Sequence, residues 1–234
     1  FHPRIRGGQG DRRVGGGDPV SIAVFLADDH TIVRDGLRYL LEAQKDLRVV
    51  GEAADGREAV RTVKTLQPDI VIMDIFMAEL NGIEATAQIC RECPSTRVIM
   101  LSMQSSSESI LRALKAGASG YLLKESAGRE LVNAIHDVHA GRRYLSSKVS
   151  DQVIGAYLNK TEEIRDPLAA LSRREREVLQ LVVEGKTSAE IADTLFLSVK
   201  TIETYRSRLM QKLGIKDIPG LIKFAIQHGL TSLE

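Results

Sequence analysis

The chain has 234 residues, 43% of them hydrophobic and 27% charged, with 4% aromatics and no Trp, which is the composition of a soluble globular protein with room for two domains. No stretch approaches the ~20 apolar residues of a membrane helix. No apolar secretory segment opens the chain, and two cysteines make no disulfide framework, so a reducing cytoplasm is the expected compartment. The net charge of +1 is unevenly spread: residues 21–145 hold 15 Lys and Arg against 17 Asp and Glu, residues 165–234 hold 11 against 9. That sign suits an acidic site in the middle of the chain and a polyanion partner at its end.

Residues 1–20 are rich in Gly and Arg without an apolar period and read as a flexible extension; a basic arm for nucleic acid is the alternative. From Ser21 the pattern alternates. Short β-rich runs (Ile22–Ala27, Arg48–Ala53, Ile70–Met73, Val98–Leu101, Gly120–Leu123) are separated by segments of helical spacing (Ile32–Glu42, Gly56–Leu66, Gly82–Cys93, Ser106–Ala116, Glu130–Ala140). Five strands alternating with five helices predict an α/β domain over residues 21–145, a doubly wound five-stranded parallel sheet. Function in such sheets gathers at the carboxyl ends of the strands, near the switch in strand order.

Residues 146–166 are polar around one amphipathic stretch, Val149–Leu158, and read as a linker with a helix. Residues 167–234 have helical period throughout, predicting a small all-α domain. Ser172 with Glu175, and Thr187 with Glu190, have the spacing of capping boxes. Ser198 caps the next helix and Gly214 ends it. Asp217 and Gly229 bracket the last.

The strand ends carry the chemistry. The first delivers Asp28 and Asp29, the third Asp74, the fourth Ser102, the fifth Tyr121 and then Lys124. An Asp closing an apolar strand is commonly a cap. Several such ends meeting in one place is a different matter, because packed like charges are costly unless a cation neutralises them. Oxygen ligands of this kind suit Mg²⁺. Cys90 and Cys93 form a C-x-x-C on an inferred helix without further ligands, and redox or metal use there is not expected. His30 reads as the start of the first helix, at the rim of the pocket.

"LADDH" (26–30), "IVIMDIFM" (70–77), "LS" (101–102) and "GYLLK" (120–124) resemble the receiver domain of bacterial two-component response regulators, of CheY-like fold. The resemblance implies Asp74 as phosphoacceptor, with Asp28, Asp29, Asp74 and the backbone carbonyl of Phe76 around Mg²⁺. It implies that Lys124 and Ser102 meet the phosphoryl group and that Tyr121 changes rotamer. The family usually has Pro where Ala78 stands. A hydrolase working through an aspartyl-phosphate typically carries a second acid two residues after the nucleophile, where this chain has Phe76.

"TSAEIADTLFLSVKTIETYRSRLMQKL" (187–213) reads as two helices joined by a tight turn, the second with a basic and hydroxyl face fit for a major groove. The stretch from Leu171 to Ile215 resembles the LuxR-type DNA-binding domain, and together the two resemblances imply a NarL/FixJ-type response regulator. They imply Lys200, Glu203, Thr204 and Ser207 at bases, Glu203 accepting from cytosine N4. Neighbouring hydroxyl and basic groups (Thr187, Ser188, Thr201, Arg208) would hold phosphates. The implied partners are a sensor histidine kinase, double-stranded DNA, a second copy of the chain and RNA polymerase. The chain is expected to be a regulator, not an enzyme, and a phosphotransfer enzyme or phosphatase is the alternative. A regulator indifferent to phosphorylation is a second alternative, whose mark would be a broken pocket. Two further expectations concern the assembled protein. The receiver should mask the Lys200–Arg208 face, and Leu221, Ile222, Ala225 and Ile226 should offer an apolar contact surface.

Overall fold

The computed structural model describes residues 21–158 and 167–231. The expected extension (1–20) and residues 159–166 of the expected linker lie outside the described residues. The amino-terminal part follows the predicted alternation: β1 (Ile22–Ala27), α1 (Thr31–Glu42), β2 (Leu47–Ala53), α2 (Gly56–Leu66), β3 (Ile70–Asp74), α3 (Gly82–Glu92), β4 (Arg97–Ser102), α4 (Ser107–Lys115), β5 (Gly120–Leu123) and α5 (Ala127–His139). All strand pairs are parallel and the order is β2-β1-β3-β4-β5-β6. The order turns between β1 and β3, so their carboxyl ends flank the switch point.

A sixth strand, β6 (Tyr144–Leu145), joins the edge of the sheet beyond the five expected, pairing Tyr144 with Gly120 and Leu145 with Tyr121. Two residues make no alternating run, so β6 leaves no periodic trace in the sequence. It leads into α6 (Ser147–Leu158), which returns to pack against α4 and β5.

Both faces of the sheet are covered. Phe25, Val71, Met73, Met100 and Tyr121 bury toward α2, α3 and α4, and Val24, Leu26, Ile70, Ile72 and Leu122 toward α1 and α5. This is why β3 reads as an unbroken apolar run: neither face meets water. Gly82 opens α3 against the end of β3, where a Cβ would stand 1.7 Å from the Asp74 carbonyl oxygen. Only glycine lets that helix start so close to the strand.

The second part holds α7 (Arg173–Val183), α8 (Ser188–Leu195), α9 (Val199–Leu213) and α10 (Ile218–Gln227) around a core of Leu179, Ile191, Leu195, Ile202, Leu209 and Leu221. Both expected capping boxes form, Ser172 with Glu175 and Thr187 with Glu190. Gly214 ends α9 in the left-handed conformation at φ 67°. Leu221 and Ala225 of α10 face this core, leaving Ile222 outward and Ile226 half-buried. The expected apolar contact surface is therefore reduced to those two residues.

The parts are docked through α7 and the end of α10. Arg176 pairs with Glu84 at 2.6 Å and Lys186 with Glu79 at 2.9 Å. Arg112 on α4 donates to the His228 carbonyl at 2.8 Å, and the His228 ring lies 3.2 Å from Glu108.

Candidate functional site

The ends of β1, β3 and β5 bring three charged side chains together. Lys124 Nζ lies 2.7 Å from Asp28 Oδ2 and 3.0 Å from Asp74 Oδ2. Asp28 and Asp74 are each 2% exposed, while Asp29 stands outside at the rim. His30 stands at the N-cap position of α1, as its place in the sequence suggested, with its ring 2.6 Å from Asp29 Oδ1. The other Asp74 oxygen accepts from the Ile75 backbone N–H at 2.8 Å.

Burial raises the pKa of Asp74 to about 7; Lys124 opposes the shift and Asp28 adds to it. A carboxylate acts as a nucleophile only when ionised, and the neighbouring ammonium favours that form. Asp28, Asp29, His30 and Asp74 present ligand atoms within 4.8 Å of one another. The carboxylates suit a hard divalent cation, and one would relieve the repulsion between Asp28 and Asp74. The residues present therefore fit Mg²⁺ by donor chemistry and charge.

Ser102 is fully buried at the end of β4 and its Oγ accepts from the Gln104 N–H at 3.0 Å. Tyr121 donates from its hydroxyl to the Gln104 carbonyl at 2.8 Å. Its ring is already fully buried, in one apolar cluster with Val149 of α6. The rotamer change implied by the resemblance thus has no outward starting point in this structure. Gln104 joins Ser102 to Tyr121 and also lies against Gly229 at the end of the docked helical domain. Its place in that chain was not legible, since a Gln in a Ser-rich loop looks like solvated surface.

Phe76 follows β3 in a loop that returns at Gly82, whose N–H donates to the Ile75 carbonyl at 2.9 Å. Ala78, standing where the family usually has Pro, forms a single parallel bridge with Asp55. Glu79 takes a left-handed φ of 63°. Cys90 is half-buried and Cys93 buried, both as free thiols, and burial pushes the Cys90 thiol upward, away from the reactive thiolate.

On the helical part, Lys200, Glu203, Thr204, Ser207 and Arg208 are exposed along α9, and Thr187 is exposed at the cap of α8. Ser188 hydrogen-bonds to the Glu203 carboxylate and accepts from Arg206 at 2.8 Å. One Glu203 oxygen is thereby committed within the domain. Thr201 exchanges a 2.8 Å hydrogen bond with Ser198 at the cap, and Thr204 donates to the Lys200 carbonyl at 2.9 Å. The expected masking of this face does not occur in the docked arrangement. The receiver side meets α7 and the end of α10, while α9 presents its polar face to solvent.

Residues 24–136 match the family described as the response regulator receiver domain, and residues 169–225 the luxR family of bacterial regulatory proteins. The chain is a LuxR-type response regulator. It is 42% identical over 211 residues to the transcriptional regulatory protein LiaR of Bacillus subtilis (strain 168), covering 90% of this chain and 100% of LiaR. A solved RcsB–DNA complex is similar at 29% identity and TM-score 0.55, over 89% of this chain and 98% of that one. A structure of two RcsB dimers bound to two parallel DNAs is similar at 29% identity and TM-score 0.56, with the same two shares. The first match covers most of the regulator's sheet and the second its capped helices. Among the described residues, no helix is long and apolar enough to cross a membrane.

Proposed function

We propose that this regulator takes a phosphoryl group on Asp74 from a sensor histidine kinase and changes its binding to double-stranded DNA in response. The observation that carries the reading is the contact of one ammonium, Lys124, with both buried carboxylates, Asp28 and Asp74, at 2.7 and 3.0 Å. Bound Mg²⁺ would neutralise phosphoryl oxygens during transfer, held by Asp28, Asp29, Asp74 and the Phe76 carbonyl. The chain's own groups do the rest. The Ile75 N–H holds one Asp74 oxygen, which leaves Oδ2, beside Lys124, to attack the incoming phosphorus. Lys124 keeps that oxygen ionised and then pairs with the transferred group, while Ser102 offers it a hydroxyl contact. Positioning and charge are most of what phosphoryl transfer asks of a protein.

The exposed face of α9 is the surface for a major groove, with Lys200, Glu203, Thr204 and Ser207 toward bases and Thr187, Ser188, Thr201 and Arg208 toward phosphates. One helix-turn-helix reads a short half-site, and discrimination against a genome favours a pair. The RcsB dimers on DNA support a homodimer as the form that binds. Recruitment of RNA polymerase belongs to the same reading, as do a cytoplasmic setting and domains at 21–145 and 167–234 joined by 146–166. Phe76 in place of a second acid supports a regulator over a phosphatase. The test is incubation with acetyl phosphate and Mg²⁺ followed by intact mass. The wild type gains one phosphoryl group and Asp74→Asn gains none; a phosphorylated Asn variant would overturn the assignment.

A further inference from the structure

Ser146 stands where β6 passes into α6. Its N–H donates to the Tyr121 carbonyl at 3.1 Å and its carbonyl accepts from the Ser150 N–H at 2.9 Å, which puts it at the N-cap position of α6. A serine in that place ordinarily accepts a first-turn N–H on its hydroxyl. Ser146 does not. The residue is 3% exposed, and its Oγ has no hydrogen-bond partner. A buried hydroxyl left unpaired is costly, and native proteins rarely carry one without a use for it.

Ser146 lines a cavity of about 490 Å³ between the start of α5 and the start of α6. Ser147 and Lys148 reach it from the first turn of α6, Arg129 and Glu130 from α5, and Glu125 from the helical turn Lys124–Ser126. The two acids have partners of their own. Glu125 pairs with Lys148 at 2.6 Å, and Glu130 accepts from the Tyr144 hydroxyl at 3.1 Å. Arg129 is exposed and makes no ion pair among the described residues. The start of α6 adds unpaired N–H groups and the positive end of the helix dipole. An orphaned hydroxyl, a helix start, a guanidinium and an ammonium around one cavity make a donor set for an anion with several oxygens. The fork of an Arg suits phosphate in particular. The volume leaves room for more than the anion, since pockets for small organic ligands run from about 300 to 1,000 Å³.

We infer that this cleft binds a phosphate monoester, with Ser146, Arg129 and the first turn of α6 on the phosphate and the rest of the cavity on its organic group. Lys148 would exchange Glu125 for the ligand. The site is separate from the phosphoryl pocket, none of whose acids lines it. A ligand there ties α5 to α6, the helix that leaves the sheet toward the DNA-binding domain.

The test is calorimetric titration of the full chain in phosphate-free buffer with a chelator, so that no Mg²⁺ draws anions to Asp74. The probes are inorganic phosphate, glycerol phosphate and AMP. At least one ester should bind, and more tightly than inorganic phosphate. Arg129→Ala should weaken it about tenfold or more, the scale of a charge-assisted hydrogen bond, and Ser146→Ala about threefold to tenfold. Without ligand, Ser146→Ala should melt at or above the wild type, because it removes an unpaired hydroxyl and no bond. The bound ester should raise the melting temperature of the wild type more than that of either variant. Failure of all three probes to bind would overturn the site, and unchanged affinity in either variant would place the ligand elsewhere. A lower melting temperature for unliganded Ser146→Ala would show that the hydroxyl serves the fold. Inorganic phosphate binding as tightly as both esters would reduce the site to an adventitious ion only.

Discussion

Lys124 touches both buried acids, so its removal has two consequences that can be separated. Without the ammonium the Asp74 carboxyl, already raised to about 7 by burial, moves higher still. Lys124→Ala should therefore be phosphorylated slowly by acetyl phosphate at neutral pH and regain rate as pH rises, with the midpoint of its pH–rate profile above that of the wild type. An unshifted midpoint would show that Lys124 does not set the ionisation of Asp74. The second consequence concerns signalling. A phosphoryl group that finds no Lys124 has lost its cation, and the variant, once phosphorylated, should gain no DNA affinity in fluorescence anisotropy. Asp28, Asp74 and Lys124 were legible as residue types at strand ends. The contact of one ammonium with two carboxylates was not, because it depends on β1, β3 and β5 being brought into register by the sheet.

At the scale of elements, the start of α7 adds a pH-dependent contribution to the stability of the small domain. Glu175 accepts from the Ser172 N–H at 2.7 Å to complete the capping box, and Lys212 on α9 reaches the same oxygen at 2.7 Å. Burial works against the ionised form, but Lys212 and Ser172 together hold its pKa below the usual Glu value. A carboxyl depressed on folding lends stability that is present above its unfolded pKa and lost as pH falls through the folded one. Glu175→Gln can keep the cap but not the charge. Its melting temperature should fall below wild type at neutral pH, and the difference should close below about pH 4, where the ordinary Glu titrates. A difference constant across that range would remove Glu175 from the pH dependence. Ser172→Ala should cost about 1 kcal/mol at neutral pH. These capped starts were plain in the sequence, since a box needs only two residues at fixed spacing. The stripe of Glu177, Gln180 and Glu184 on the same helix has, as a sequence pattern, the polarity of a solvated face. Only the presence of a second domain distinguishes a buried stripe from a wet one, and no local pattern records it.

For the whole molecule, the open face of α9 changes what the unphosphorylated protein does. It should bind short duplexes weakly and without strong sequence preference, with log affinity falling against log salt by about 0.9 per phosphate neutralised. Phosphorylation should raise affinity for paired half-sites far more than for a single one, because release of the domains permits a pair to form. Anisotropy titrations on one-half-site and two-half-site duplexes at matched salt separate the cases. Equal gains on both duplexes would mean that phosphorylation uncovers the reading face after all. Ile222→Glu, at the outward residue of α10, should reduce the two-site gain and spare single-site binding. An unchanged two-site gain would exclude α10 from the dimer.

Gln180 of α7 grips the receiver by the Met77 carbonyl and the Asn81 amide of the loop between β3 and α3, and such main-chain groups are identical whatever side chains the loop carries. Over generations the loop is free to change its sequence and keep this hold, provided its length and path are preserved. Gly82, which admits no Cβ, fixes one end of that path. The ion pairs of Arg176 with Glu84 and Lys186 with Glu79 obey the opposite rule, since each depends on who the partner is. A receiver transplanted from a relative with the same loop length would still be seated by the first kind of contact and be judged native or foreign by the second. The junction thus separates a shared fastening from a private password, which lets domains be exchanged between regulators without every exchange being accepted.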